Sequence, residues 1–163
     1  MQSWQLISVV MVVGVFAASF VMRSKLRGKA AEMYEGAMTA LRSEVASGRR
    51  ADEADPIYFV AIERKMLSSK LYYVALTNRR LTLKLAGGET RVFERPAVEL
   101  AIRAKTFADV GNMQTTYSRG WELRVTLPDG GGRHKWRVYD HAEGIADHGA
   151  HVQALVATLT PAC

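Results

Sequence analysis

Trp121-Glu122-Leu123-Arg124-Val125-Thr126-Leu127, then Pro128-Asp129-Gly130-Gly131-Gly132, then Arg133-His134-Lys135-Trp136-Arg137-Val138-Tyr139, is the stretch that decides the fold. Large apolar residues alternate with charged or polar ones on both sides of a glycine-rich turn. That is the period of two half-buried strands joined as a hairpin. Working backwards, Leu81, Leu83 and Leu85 alternate with Thr82 and Lys84, and Val98, Leu100 and Ile102 with Glu99, Ala101 and Arg103. Thr77-Asn78-Arg79-Arg80 and Gly87-Gly88-Glu89 supply two further hairpin turns. The pattern predicts seven strands, near Ile57 to Arg64, Leu71 to Thr77, Leu81 to Leu85, Arg91 to Glu94, Val98 to Lys105, Trp121 to Leu127 and Arg133 to Tyr139. Such a meander closes or packs to hide its edges. Thr106 to Gly120 is long for a connection inside a compact domain, so it is either a functional loop or a concealed strand.

After the strands, Ile145, Val152, Leu155, Val156 and Leu159 share one face of a helix predicted over Ala142 to Leu159, with Asp140 as its N-cap. Two pieces, Tyr73-Val74-Ala75-Leu76-Thr77-Asn78-Arg79-Arg80-Leu81 and Pro128-Asp129-Gly130 before a late strand, sit in an order that resembles the bacterial PH-like domains, relatives of the pleckstrin-homology and GRAM fold. The resemblance spans roughly Ile57 to Leu159. It implies a seven-stranded antiparallel β-barrel capped by a C-terminal helix, a scaffold that binds lipids, peptides or proteins without catalysis. Phosphoinositide-binding relatives carry a lysine at the end of strand one and Arg-x-Arg within strand two. Here Lys65 and Lys70 flank the first turn, Leu71 to Thr77 holds no basic residue, and Arg79 and Arg80 follow at the next turn. These four form the candidate ligand or partner surface.

The N-terminal part reads differently. Trp4 to Met22, WQLISVVMVVGVFAASFVM, carries no charge. As a helix it reaches roughly 28 Å, about the hydrocarbon thickness of a bilayer. A cleaved signal peptide needs a basic start and a shorter apolar run, and no Lys or Arg precedes Arg23. Arg23, Lys25, Arg27 and Lys29 follow at once and are expected to contact the membrane surface. The positive-inside rule then places the N-terminus outside and the remainder in the cytoplasm, and the resemblance implies that the membrane is the inner membrane of a bacterial cell. Gly14 and Ala18 form a small-xxx-small pair, a weak helix-pairing signal. Leu26, Ala30, Met33, Tyr34, Ala37, Met38, Leu41 and Val45 mark one face of a connecting helix. That face packs on the domain, pairs with another copy, or lies along the membrane. The expected organisation is α+β: a transmembrane helix at 4–22, a basic and amphipathic segment at 23–48, a linker at 49–56 and the PH-like domain at 57–159.

With 163 residues, 48% hydrophobic and 23% charged, the chain builds one ordinary domain and an appendage. The net charge of +6 suits an anionic membrane surface as well as nucleic acid. One cysteine, Cys163, allows no internal disulfide and stands too late for a prenylation box. His134, His141, His148 and His151 do not fall on one helical face with metal-ligand spacing. Gly87-Gly88 and Gly130 to Gly132 are misplaced for phosphate loops, and no Gly-x-Ser-x-Gly elbow occurs. Arg133, Lys135 and Arg137 share a strand face with Arg124 beside them, either a solvated face or a surface for an acidic partner. No aromatic stacking platform for nucleic acid accompanies them. The expected function is a membrane-tethered, non-catalytic module, without cofactor, that recruits a protein partner or senses the lipid surface. The alternative is a structural, oligomerising subunit of a membrane complex.

Overall fold

The computed structural model describes residues 30–65, 68–111, 114–129, 132–142 and 144–160. The proposed transmembrane helix at 4–22 and the cations Arg23, Lys25, Arg27 and Lys29 lie outside the described residues, as does Cys163. Among the described residues no helix is long and apolar enough to cross a membrane.

Helix α1 occupies residues 30–48. The strands β1 (Ile57–Lys65), β2 (Ser68–Leu76), β3 (Arg80–Leu85), β4 (Thr90–Glu94), β5 (Glu99–Gly111), β6 (Gln114–Thr126) and β7 (Arg133–Val138) follow, and helix α2 (His148–Leu159) ends the fold. All seven strands form one antiparallel sheet in the order β4-β3-β2-β1-β7-β6-β5. The three expected hairpin turns join β2 to β3, β3 to β4 and β6 to β7. The expected meander breaks between β4 and β5, where the chain turns through Arg95–Ala97 and crosses to the far edge. Pro96 accounts for the break, since it can neither donate to a ladder nor continue a central strand.

The sheet has two wings, β1 to β4 and β5 to β7, joined through the pairs Ile62↔Arg137 and Glu63↔Trp136. It is not the closed barrel that was expected. β4 and β5 end the sheet without pairing to each other. The wings instead fold face to face over a shared core of Phe59, Val74, Leu81, Leu123, Val125 and Trp136. Tyr72 stacks on Trp136 across the divide, with ring centroids 5.1 Å apart. Arg91 of β4 pairs with Asp129 in the β6–β7 turn.

Helix α2 fills the split that opens along β1 before its junction with β7. Val152 and Leu155 enter the core, and the Val60 N–H, which has no strand partner on that side, donates to His148 Nε2 at 2.9 Å. The helix begins later than the expected Ala142. Asp147 stands at the N-cap position, while Asp140 accepts from Trp121 Nε1 at 3.3 Å and Gln153 Nε2 at 3.4 Å instead.

Thr106 to Gly120 proves to be strand: β5 and β6 pair from Glu99↔Thr126 out to Gly111↔Gln114. The outer half of this hairpin bends back. Arg137 is in register with Glu122 and Arg103, and Asp109 lies six residues further along β5. In a flat sheet that separation is about 20 Å. Asp109 Oδ1 nevertheless accepts from Arg137 Nη1 at 2.7 Å and pairs with Arg64 of β1. Within the stretch that bends, Gly120 passes close to β7: a Cβ there would sit 2.7 Å from the Val138 carbonyl oxygen.

Candidate functional site

The outer face of the sheet, away from the shared core, differs between the wings. On β1 and β2 it carries Tyr58, Val60, Leu71, Tyr73 and Ala75, and α1 covers it with Tyr34, Ala37, Met38, Leu41 and Val45. The stripe read from the sequence therefore packs on the domain from Tyr34 to Val45, while Met33 stays exposed and Leu26 lies outside the described residues. Gly144, at φ 78°, brings the loop before α2 against the Ala31 carbonyl, where a Cβ would stand 2.5 Å away. Arg42 and Asp147 tie α1 to the start of α2 at 3.2 Å.

On β5, β6 and β7 the same face is basic, and among the described residues no helix covers it. Register puts Arg103 and Lys105 of β5, Arg124 of β6, and Arg133, Lys135 and Arg137 of β7 on it, with Arg64 reaching in from β1. Glu122 sits among them and is only 4% exposed. It accepts from Lys105 Nζ at 2.5 Å, Arg103 Nε at 2.9 Å and Arg124 Nε at 3.3 Å. The hydrogen bond from Lys105, followed by those from Arg103 and Arg124, outweighs burial and holds its carboxyl at about 2. Between this array and the folded-back hairpin lies a cleft of about 250 Å³. Arg64, Lys105, Lys135 and Arg137 line it, with Phe107 and Glu122 among its walls. The Arg137 guanidinium lies 4.6 Å from the Phe107 ring centroid.

The four expected surface cations divide. Lys65 and Lys70 stand exposed at the β1–β2 turn and make no ion pair among the described residues. Arg79 and Arg80 stand at the opposite end of β2, roughly 30 Å away along the strand. Arg80 grips the buried Glu53, with Nε 3.0 Å from Oε1, and its Nη2 donates to the Gly48 carbonyl at 2.7 Å. Thr77 Oγ1 donates to the same carboxylate at 2.5 Å and accepts from the Arg80 N–H at 2.9 Å. The Arg80 hydrogen bond, opposed by burial and aided by Thr77, lowers Glu53 to about 2. Arg79 pairs with Asp52, and Asn78 Oδ1 accepts from the Ala54 N–H at 3.0 Å. The Thr-Asn-Arg-Arg turn thus clamps the segment leading from α1 into β1.

The histidines are dispersed. His134 Nδ1 lies 2.8 Å from Glu63 Oε1, and His151 packs edge-on against Tyr58. His148 is held by Val60, and His141 lines a second, apolar cleft of about 220 Å³ beside Tyr34, Ile62 and Leu71. Among the described residues no group of three potential ligands is arranged to hold a metal. Burial pushes His148 below its ordinary value.

Sequence reading found the basic strand positions but not the role of Glu122. Its place under three cations depends on a register that alternation alone does not supply. No protein-family model, curated protein or solved structure matches the chain.

Proposed function

We propose that the chain is a membrane-tethered, non-catalytic binding module of PH-like build, held at the cytoplasmic face of a bacterial inner membrane, that recruits a protein partner. One observation carries this reading: α1, which continues the chain from the proposed anchor, is packed into the domain through Met38, Leu41 and Val45. A helix docked in this way belongs to the domain, so the chain enters the domain at one fixed place, which favours a module that positions a partner over one that searches for a lipid. An antiparallel sheet with a C-terminal helix in its split is in keeping with the PH-like part, although the sheet is open. The oligomerising alternative draws on the Gly14 face, outside the described residues, and on the helix from Leu26 to Val45, of which Met38, Leu41 and Val45 are taken up by β1 and β2 while Met33 stays exposed.

The test is made on the full chain in cells. The protein stays in membranes through alkaline carbonate extraction, and an impermeant maleimide labels Cys163 only after permeabilisation. Release by carbonate removes the tether from the account. Labelling in intact cells reverses the orientation.

A further inference from the structure

We infer that the outer face of β5, β6 and β7 is the docking surface for an acidic segment of a partner protein, one of whose carboxylates enters the cleft between Arg64, Lys105, Lys135 and Arg137. This rests on the recruiting reading above and names its surface and the chemistry of its partner. Seven cations share the face with three carboxylates, Glu99, Asp109 and Glu122, so four positive charges remain uncompensated. That is most of the excess of +6 carried by the whole chain.

Charged residues on an alternating strand are usually just the solvated side of a sheet. Two features separate this face from that default. Five of its seven cations are already fixed, Arg103, Lys105 and Arg124 by Glu122 and Arg64 and Arg137 by Asp109, while Arg133 and Lys135, without an ion pair among the described residues, stay free to meet a ligand. A ligand carboxylate therefore meets ordered donors and does not have to immobilise long side chains itself. The face also has a cleft of about 250 Å³, room for a carboxylate side chain. Guanidinium forks suit planar carboxylates.

Other anionic surfaces fit less well. Of the exposed large apolar side chains among the described residues, Met33 is on α1, Val92 on β4, and Tyr117 on the opposite side of its strand from Glu122. A bilayer surface would want apolar residues beside the cations. The aromatics in the cleft wall, Phe107 and Trp136, are 4% and 1% exposed, and Phe107 lies under Lys105 and Arg137, so neither offers a ring for a base to stack on.

The test uses the full chain in neutral-lipid nanodiscs and a fluorescein-labelled hexaglutamate peptide. Arg133 and Lys135 make no ion pair among the described residues, so reversing them leaves the Glu122 and Asp109 arrays intact. Salt-sensitive binding is expected, weakened roughly tenfold or more by Arg133→Glu with Lys135→Glu. The pair Lys65→Glu and Lys70→Glu, off this face, should leave it unchanged while circular dichroism stays native throughout. Absent binding, or equal loss in both variant pairs, overturns the inference. So does tighter binding of oligo-dT or of phosphatidylglycerol nanodiscs through Arg133 and Lys135. None of these results bears on carbonate extraction or Cys163 labelling, so the inference and the tethered reading fail separately.

Discussion

One sheet face continues from β2 across β1 and through the short junction with β7 to β6 and β5, yet its two halves have opposite character. Over β1 and β2 it presents Tyr58, Val60, Leu71 and Tyr73 and lies under α1; over β5 to β7 it presents arginine and lysine to solvent. The same alternation generates both. What separates them is whether the second face of the strand is apolar enough to attract a helix, and that difference leaves the basic half open to a partner.

The comparison breaks most readily at Leu41, which is fully buried between α1 and the sheet. Leu41→Asp places an unpaired carboxylate there and should cost about 4 kcal/mol or more, read from urea unfolding monitored by tryptophan fluorescence. A loss near zero would mean that α1 does not belong to the domain. Next in size is Gly120→Ala. Its Cβ meets the Val138 carbonyl, a backbone atom that cannot swing away. A cost of about 2 kcal/mol is expected for this overpacking, together with a shift in the resonances of Phe107 and Tyr139 as the outer hairpin moves.

Glu122→Gln sharpens the contrast in a different way, since it removes the charge that orders the basic half. A loss of about 1–2 kcal/mol is expected, kept modest because the three cations around it are about half exposed. The loss should appear only above the carboxylate's folded value. Glu122 and Glu53 ionise near 2 when folded against 4.5 ordinarily, so their stabilisation is complete above 4.5 and disappears as the pH falls from there towards 2.

The histidines titrate in a higher window. His148 and His151 are both lowered below the ordinary histidine value, each first by burial. The unfolded chain takes up their protons near 6.5, so their contribution is complete above 6.5 and fades as the pH drops below it. His148→Gln with His151→Gln should flatten the decline that sets in below pH 6.5 while leaving the Glu53 and Glu122 phase. The smallest effect belongs to Arg133→Glu with Lys135→Glu, expected to alter stability by less than about 0.5 kcal/mol, because exposed charges without partners contribute little.

Much of this was legible in the residues. Alternation placed β3, β5, β6 and β7, since side chains on a half-buried strand must repeat every two positions, and turn residues placed three hairpins. β1 and β2 lacked a clean alternation: Ile57-Tyr58-Phe59-Val60-Ala61-Ile62 and Leu71-Tyr72-Tyr73-Val74-Ala75-Leu76 are continuous apolar runs. Continuous runs mark strands buried on both faces, and here the second cover is α1. The order of the strands was not legible. Whether β4 or β7 lies beside its neighbour depends on long-range packing of the wings, as the Tyr72–Trp136 stack shows. The fold-back of Thr106 to Gly120 includes one glycine whose importance is set by Val138, eighteen residues away in sequence. The Thr77 to Arg80 motif, which suggested a ligand surface, serves Glu53 and the linker, a contact made across 27 residues from Arg80.

Amide hydrogen exchange on the full chain tests the division of the outer face most directly. The account predicts that amides of residues 38–46 in α1 exchange as slowly as those of β1 and β2, and that Leu41→Asp releases α1 while β5 to β7 keep their protection. Fast exchange of α1 in the native chain would contradict it. Both halves of the outer face would then be open, and the basic one would lose its distinction as the surface left for a partner.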